Sequence, residues 1–168
     1  LNDDFIRTSL LAIPKQDHDW GKGVRGRGQR VLLEFVSANP TGPLHVGHGR
    51  WAVIGDALAR LLTADGYQVE KEFYVNNIGN QVNRLWESVQ AVRDGKAVPE
   101  GGYGGSYIKE VKGDSKEEVI SSILAEQKET LGKLGVKFDR FFNESELHAK
   151  GKVKEAVSRL FCFSKPEI

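Results

Sequence analysis

The chain has very few of the residues that mark several classes of protein. Its 168 residues include no methionine and a single cysteine, Cys162. One cysteine cannot form an internal disulfide, and no cysteine and histidine pattern has the spacing of a zinc site, so we expect no zinc and a reducing, cytoplasmic compartment. No apolar run reaches the roughly 18 residues of a membrane span, and the first residues lack the basic and apolar layout of a signal peptide. We therefore expect no membrane association.

The composition that remains is that of an ordinary globular domain. Hydrophobic residues make up 39% and charged residues 28%, with a formal net charge of +1. This charge argues neither for nor against a polyanionic partner, because only a local cluster could supply the necessary field. The chain begins at Leu1 and ends at 164–168 without an evident closing element, so we expect it to be a piece of a longer protein.

A strand, a turn and a helix follow one another in the first half of the chain. Residues 31–36, Val-Leu-Leu-Glu-Phe-Val, predict a buried strand with one out-of-place carboxylate, Glu34. After a loop at 37–43, a helix is expected from about Gly47 to Asp65. Its periodic apolar residues are Ile54, Ala57, Leu58, Leu61 and Leu62.

A second strand at 69–75 completes a βαβ unit, which predicts parallel strands and a right-handed crossover. Lys71 interrupts the apolar face of this strand, so we expect that face to be only partly buried. The segment before the unit, 14–28, is polar and rich in glycine and predicts a linker after a short element at 1–13. The basic side chains in and beside this linker suit a solvated connector better than a phosphate-contacting loop; they are Lys22, Arg25, Arg27 and Arg30.

The second half of the chain predicts mostly helices. An apolar stripe that ends at Gly95 indicates a core-facing helix, in which we expect Trp86 to pack rather than to stack on a base; the stripe is Val82, Leu85, Trp86 and Val89. Residues 97–106 predict a flexible, irregular insertion. A capping box at Ser115 and Glu118 begins a long helix that closes at Gly135. A third strand is expected at 136–142 and a helix, broken at Gly151, at 145–160.

The turn between the first strand and helix carries the chemistry. Residues 43–48, Pro-Leu-His-Val-Gly-His, place His45 and His48 three residues apart around Gly47. In a parallel sheet ligands bind beyond the carboxyl ends of the strands, where a helix N-terminus attracts anions. Two imidazole donors there would stabilise charge that develops during displacement at an α-phosphate. The pattern favours a binding site for a nucleoside triphosphate. Two alternatives remain for the histidines: a pair without function on the surface, or part of a zinc site, for which a third ligand is missing.

The residues around this turn resemble a known family. Residues 33–50, Leu-Glu-Phe-Val-Ser-Ala-Asn-Pro-Thr-Gly-Pro-Leu-His-Val-Gly-His-Gly-Arg, are similar to the signature-one region of arginyl-tRNA synthetases, the class I subgroup with a His-x-Gly-His turn. Residues 74–81 resemble that family's Tyr-Val-Asn-Asp-x-Gly-Asn-Gln segment, with Asn77 where an aspartate is usual. Gly42 stands where some relatives carry a lysine, which implies dependence on a later lysine loop.

The resemblance implies roles for named residues. His45, Gly47 and His48, together with Pro43, would bind ATP, and the two histidines would be catalytic through electrostatics and hydrogen bonding. Arginine would be bound by Glu34, Ser37, Asn39 and His45. The matching glutamate could pair with the guanidinium, because a planar cation suits a carboxylate. Turn capping is an equally good interpretation of Ser37 and Asn39 from the residues alone.

The resemblance also implies an architecture and an activity. We expect an α/β, partial Rossmann-like, class I synthetase fold with parallel strands and a mostly helical insertion. Its parts would be the end of an N-terminal appended region at 1–28, the first half of the catalytic domain at 29–95, and a truncated insertion at 96–168. The full enzyme would activate L-arginine with ATP, with Mg²⁺ accompanying it, and transfer it to tRNA(Arg). Alternatives are a small His-x-Gly-His nucleotidyltransferase and a non-catalytic remnant that binds a nucleotide or a partner; the fragment alone is expected to be inactive.

Overall fold

A computed structural model describes residues 2–163, with side chains through residue 160, so residues 164–168 of the expected insertion lie outside the described part. No helix in residues 2–163 combines the length and apolar character needed to cross a membrane. The elements in chain order are α1 (Asp3–Gln16), a 3-10 turn (Asp17–Asp19), β1 (Arg30–Glu34), α2 (Val46–Ala64), β2 (Gln68–Val75), α3 (Asn80–Arg93), α4 (Tyr107–Glu110), α5 (Lys116–Lys133), β3 (Arg140–Asn143), α6 (Glu144–Ala149) and α7 (Lys152–Phe163).

The three strands form one parallel sheet in the order β1-β2-β3. Glu34 on β1 is in register with Glu72 on β2, and Glu72 is in register with Arg140 on β3. The predicted α/β class and the parallel βαβ unit are confirmed. The third strand begins later than expected because residues 136–139 lead into the sheet, where Asp139 N donates to Lys71 O at 2.9 Å, and the ladder with β2 starts at Arg140.

The two faces of the sheet differ in covering. The face that carries Phe73 and Val75 of β2 packs against Ala52 of α2 and Leu131 of α5 in the main core cluster. The opposite face carries charged pairs across the strands, from Arg30 to Glu70 and from Arg140 to Glu72, both at 3.7 Å. A single helical layer therefore positions the residues at the carboxyl end of the sheet.

The expectation of a buried first strand was wrong, and α2 buries small residues rather than its periodic apolar ones. β1 is an edge strand within the described sheet and not a buried one, since Leu32 is 59% exposed on the open face. In α2 the large apolar residues Ile54 and Leu61 are 58% and 69% exposed, and the buried residues are Ala52, Gly55, Asp56 and Ala59. The reason is close packing: the ring of Phe35 occupies the space that a Cβ at Gly55 would need.

A second apolar cluster joins α3, α4 and α5. Its buried residues are Leu85, Val89, Ile108, Val119 and Ile123, and Trp86 packs against them as predicted. Ser115 caps α5 by accepting from Glu118 N at 3.2 Å, and Glu118 in return accepts from Asp114 N at 2.7 Å. Residues 97–106 contain no helix or strand, as predicted, although Tyr103 N donates to the buried Ser88 Oγ at 2.9 Å and anchors the segment.

The glycine-rich linker is held against the βαβ unit. Gly23 N donates to Ala64 O at 2.8 Å and Gly26 N donates to Asp65 O at 2.9 Å. A Cβ at Gly26 would overlap the backbone of Tyr67, so only glycine permits this approach. The basic side chains Lys22, Arg25 and Arg27 are exposed, as a solvated connector predicts, while backbone hydrogen bonds hold 23–28 against the end of α2 and the α2–β2 turn.

Candidate functional site

The two histidines of the motif cap the N-terminus of α2. His45 is the N-cap residue, and its Nδ1 accepts a hydrogen bond from Gly47 N at 3.1 Å. Nδ1 of His48 accepts one from His45 N at 3.2 Å, and the two rings stack with centroids 3.7 Å apart. Imidazoles therefore do at this helix what serine and glutamate do in an ordinary capping box.

The capping bonds determine which ring nitrogens carry protons. A nitrogen that accepts a hydrogen bond from a backbone amide has no proton of its own, so the neutral imidazoles of His45 and His48 carry theirs on Nε2. Burial lowers the pKa of His48 below its ordinary value of 6.5, and neighbouring His45 lowers it further. At neutral pH His48 thus presents an imidazole Nε2–H donor rather than an imidazolium charge.

Gly47 is required by the cap itself. A Cβ at this position would lie 2.9 Å from Cε1 of His45, closer than real contacts allow. The glycine that the resemblance places at the ATP is therefore needed first to seat the His45 ring. Pro43 lies exposed in the turn that leads to this cap.

A second group of site residues lies where β1 leaves the sheet. Phe35 N still donates to Glu72 O at 3.3 Å, but the next β2 amide, Tyr74 N, donates to the side chain Oγ of Ser37 at 3.1 Å. Ser37 Oγ in turn donates to Glu34 Oε1 at 2.7 Å. A serine hydroxyl thus replaces one rung of the ladder and holds the Glu34 carboxylate.

The backbone between these residues is strained. Val36 and Ser37 have φ values of +67° and +38°, in the left-handed region that a β-branched residue such as valine rarely adopts. Conformations of this kind persist only where the surrounding contacts hold them, and they concentrate at functional sites.

The sequence argument for Glu34 assumed a buried carboxylate, and this assumption was wrong. Glu34 is exposed because it lies on the open face of an edge strand, with Leu32 on the same face. Within the described residues no Lys, Arg or His nitrogen lies within 4.0 Å of its carboxylate, and its hydrogen-bond donor there is the Ser37 hydroxyl. Burial raises the pKa of Tyr74, and the charges of Glu144 and Glu34 raise it further, which keeps this phenol neutral beside them.

A groove of about 440 Å³ separates the end of β1 from α2. Glu34 and Ser37 line it together with Trp51, and Ile54 and Leu58 supply apolar walls. Trp51 also contacts His48 edge to face, with ring centroids 5.7 Å apart. No role was expected for Trp51 from the sequence, although its position three residues after His48 on a helix is a signal for contact.

Asn39 faces away from this groove. Its Nδ2 donates to Gln81 Oε1 at 2.8 Å, which ties the turn to the start of α3. Nearby, Asn77 accepts from Ser145 N at 3.1 Å and donates to Ser145 Oγ at 3.0 Å. Asn77, the residue that replaces the family's usual aspartate, therefore links the end of β2 to the first turn of α6.

Lys71 and Asp56 form a buried pair below the site. Asp56 Oδ1 lies 3.4 Å from Lys71 Nζ, and its Oδ2 lies 2.7 Å from Arg60 Nε. Burial acts to raise the pKa of Asp56, but the hydrogen bonds from Arg60 and Lys71 outweigh it and the pKa is lowered. Among residues 2–160 no group of three or more His, Cys, Asp or Glu side chains is arranged to hold a metal ion.

Known proteins share this architecture. Residues 11–143 match the family model described as tRNA synthetases class I (R), catalytic domain. Arginine–tRNA ligase of Gloeobacter violaceus is 41% identical over 93% of the chain and 30% of its own length. The arginine–tRNA ligase of Renibacterium salmoninarum is 44% identical over 84% of the chain and 29% of its own length. The chain thus spans about a third of the length of these relatives.

Solved structures agree with the sequence comparison. A crystal structure described as an arginyl tRNA synthetase of Campylobacter jejuni superposes with a TM-score of 0.72 at 31% identity, over 89% of this chain and 38% of that one. The arginyl-tRNA synthetase of Thermus thermophilus has a TM-score of 0.60 at 23% identity, over 88% of this chain and 29% of that one, which supports the fold alone. This chain belongs to the class I tRNA synthetases of the arginine type, within their catalytic domain.

Proposed function

We propose that this chain forms the first, ATP-binding half of the catalytic domain of an arginine–tRNA ligase. The observation that carries the proposal is the pair of stacked imidazoles of His45 and His48 at the N-terminus of α2. Their Nδ1 atoms are occupied by backbone amides, so their Nε2–H groups are free to donate. Neutral donors at a helix N-terminus suit the triphosphate of ATP, since the helix dipole also favours negative charge there.

The chemistry follows from where charge develops. The carboxylate of arginine attacks the α-phosphorus of ATP, the bond to the bridging oxygen breaks, and pyrophosphate leaves with the electron pair. The negative charge grows on phosphate oxygens, so donors from His45 and His48 stabilise the transition state more than the ground state. The ribose hydroxyl of tRNA(Arg) then takes the aminoacyl group and AMP leaves.

Mg²⁺ would accompany ATP and neutralise its phosphate oxygens, as hard cations do. The described residues offer no carboxylate cluster for such an ion, so its ligands would be phosphate oxygens and water. The part of His45 and His48 in this arrangement is limited to donating hydrogen bonds and orienting the phosphates.

Arginine is proposed to lie in the groove that Glu34, Ser37 and Trp51 line. Ser37 Oγ donates to Oε1 of Glu34 and so orients the carboxylate, while the exposed position leaves it accessible to a guanidinium. Asn39 makes its side-chain hydrogen bond to Gln81, which supports a positioning role for it better than direct contact with arginine.

Calorimetric titration of the chain with ATP tests the nucleotide assignment. We expect His48→Ala to weaken ATP binding by about 10-fold or more, because a hydrogen bond to a charged group contributes about 1.5–3 kcal/mol. His18→Ala is the matched control, since His18 is exposed in the 3-10 turn far from the motif in sequence. Equal affinity in the parent and His48→Ala would overturn the assignment.

Glu34→Gln tests the arginine assignment with ATP binding as an internal control. We expect arginine binding to weaken by about 10-fold or more while the affinity for ATP stays unchanged, because only the guanidinium needs the carboxylate charge. Glu87→Gln on the exposed side of α3 removes the same charge elsewhere. Arginine binding as tight in Glu34→Gln as in the parent would contradict the assignment, and ATP binding alone would favour the nucleotide-binding alternative.

A further inference from the structure

The loop that joins β1 to α2 is held by side chains from a distant part of the chain. We call residues 39–42, Asn-Pro-Thr-Gly, the clamped loop. Nε2 of Gln127, on α5, donates to Asn39 O at 3.1 Å and to Gly42 O at 2.8 Å. Gln127 is 1% exposed, and its amide orientation is unambiguous because only the NH₂ group can face two carbonyl oxygens.

A second side chain holds the carbonyl between these two. The hydroxyl of Tyr107 donates to Thr41 O at 2.7 Å, and its ring packs so close to Gly42 that a Cβ there would lie 3.3 Å away. Burial raises the pKa of Tyr107, so the phenol keeps its proton as a donor. Within the described residues, none of these carbonyls of the clamped loop accepts a hydrogen bond from a backbone amide.

The clamp acts on a strained and functional segment. The left-handed residues Val36 and Ser37 precede the clamped loop, and His45 follows it by three residues. Strained backbone needs outside contacts to persist, and the carbonyl contacts of Gln127 and Tyr107 are of that kind. The location of the capping histidines relative to the sheet therefore depends on where α5 and α4 hold the loop.

The side-chain oxygen of Gln127, unlike its nitrogen, makes no hydrogen bond to the described residues. This atom, Oε1, is also buried. An unpaired buried acceptor destabilises a fold, so a side chain present only for packing would be served better by methionine or leucine. The presence of a glutamine at this position is thus explained by its NH₂ group, which donates its hydrogen bonds to the clamped loop.

We propose that Gln127 is a positioning residue for the ATP site, which fixes the clamped loop together with Tyr107 so that His45 and His48 face the phosphates. The site concerned is the one assigned under the proposed function, and this inference rests on that assignment. Gln127 itself touches neither ATP nor arginine. Its effect passes through the backbone of residues 39–45.

The test compares Gln127→Met with Ser88→Ala in the 168-residue chain. Methionine keeps the volume of glutamine but removes both donors. Ser88 is an equally buried polar residue, whose hydroxyl donates to Arg84 O and accepts from Tyr103 N, away from the clamped loop. Amide hydrogen exchange of peptides covering residues 35–48 is followed by mass spectrometry, with calorimetric ATP titration and thermal unfolding in parallel.

In Gln127→Met we expect the amides of His45 and Gly47 to exchange several-fold faster and the affinity for ATP to fall about 10-fold, as for the loss of one or two hydrogen bonds. Tyr107→Phe, which removes only the hydroxyl, should shift both readouts in the same direction and covers the case in which Gln127→Met does not fold. Ser88→Ala should lower the unfolding temperature and leave exchange at 35–48 unchanged.

Unchanged exchange at 35–48 in both loop variants would overturn the inference, as would the same acceleration in Ser88→Ala. The proposed function fails separately, if the parent chain shows no ATP binding. Faster exchange in the loop variants of such a chain would still support the clamp.

Discussion

The hydroxyl Oγ of Ser37 lies 2.7 Å from Oε1 of Glu34 and accepts a hydrogen bond from Tyr74 N at 3.1 Å. One side chain thus ends the β1–β2 ladder and orients the carboxylate proposed to bind arginine. The same residue has a φ of +38°, so the chain leaves the sheet through a backbone conformation that the hydroxyl contacts help to hold.

Two substitutions of Ser37 distinguish the contribution of its hydroxyl from the strain of its backbone. Ser37→Ala removes both hydrogen bonds and leaves Tyr74 N without its partner, so we expect the free energy of unfolding to fall by about 1–3 kcal/mol. Ser37→Gly removes the same hydroxyl but relieves the positive φ, so its loss should be smaller by about 0.5–1 kcal/mol. Urea denaturation of both variants measures the difference. Equal losses would mean that the backbone of Ser37 stores no strain.

Glycines at two positions of α2 should respond in opposite directions to alanine. A Cβ at Gly55 overlaps the ring of Phe35, so Gly55→Ala should lower the free energy of unfolding by about 1–3 kcal/mol despite the higher helix propensity of alanine. Gly49 has nothing within 4 Å of an added Cβ, and Gly49→Ala should gain about 0.5–1 kcal/mol. Thermal unfolding of the two variants checks both signs. Stabilisation by Gly55→Ala would show that α2 can move away from Phe35 without cost.

The imidazole cap predicts a pH dependence of stability. The pKa of His48 in the folded chain is lowered by burial and then by His45, whereas the unfolded chain keeps the ordinary value of 6.5. Between these two values the unfolded chain binds more protons, so the free energy of unfolding decreases as the pH falls below about 6.5 and is fully recovered above it. Protonation of Nδ1 would also remove the acceptor for His45 N.

The measurement is the difference in unfolding temperature between pH 7.5 and pH 5.5. We expect this difference to be smaller in His48→Gln than in the parent, because the group that titrates is gone. His18→Gln removes an exposed histidine and should leave the difference as in the parent. An unchanged pH dependence in His48→Gln would refute the link between the cap and protonation.

The buried pair of Asp56 and Lys71 should contribute to stability. Asp56→Asn leaves Lys71 Nζ without its partner carboxylate in a mostly buried position, so we expect a loss of about 1–3 kcal/mol in urea denaturation. Since the pKa of Asp56 is lowered in the folded chain, the parent should lose this contribution as the pH falls through the folded pKa, and Asp56→Asn should not.

Asp19→Asn is the control for that variant, because Asp19 pairs with Lys22 at 2.6 Å on the surface. Exposed pairs contribute little, so this variant should match the parent. A loss in Asp56→Asn no larger than in Asp19→Asn would show that the buried pair is energetically neutral.

Much of the local structure could be predicted from the residues. The 3.6-residue period of α3 and α5, the stops at Gly95 and Gly135 and the βαβ order depend on neighbours along the chain, and all of them are observed. The motif itself is also local: His48 follows His45 by three positions, so one helix turn brings them together. The resemblance to arginyl-tRNA synthetases rested on the same contiguous segments and is confirmed.

Only the tertiary structure decided which surfaces are buried and what supports the site. The apolar periodicity of α2 does not show which of its faces packs against the sheet. The face with small residues does so, because the ring of Phe35 lies against Gly55. The contacts of Lys71 with Asp56 and of Gln127 with Gly42 join residues 15 and 85 positions apart. Hydrophobic patterns and turn residues act over a few positions, whereas such pairings depend on how separate elements pack. The sequence therefore determined the motif and its helix, and the fold determined what holds them in place.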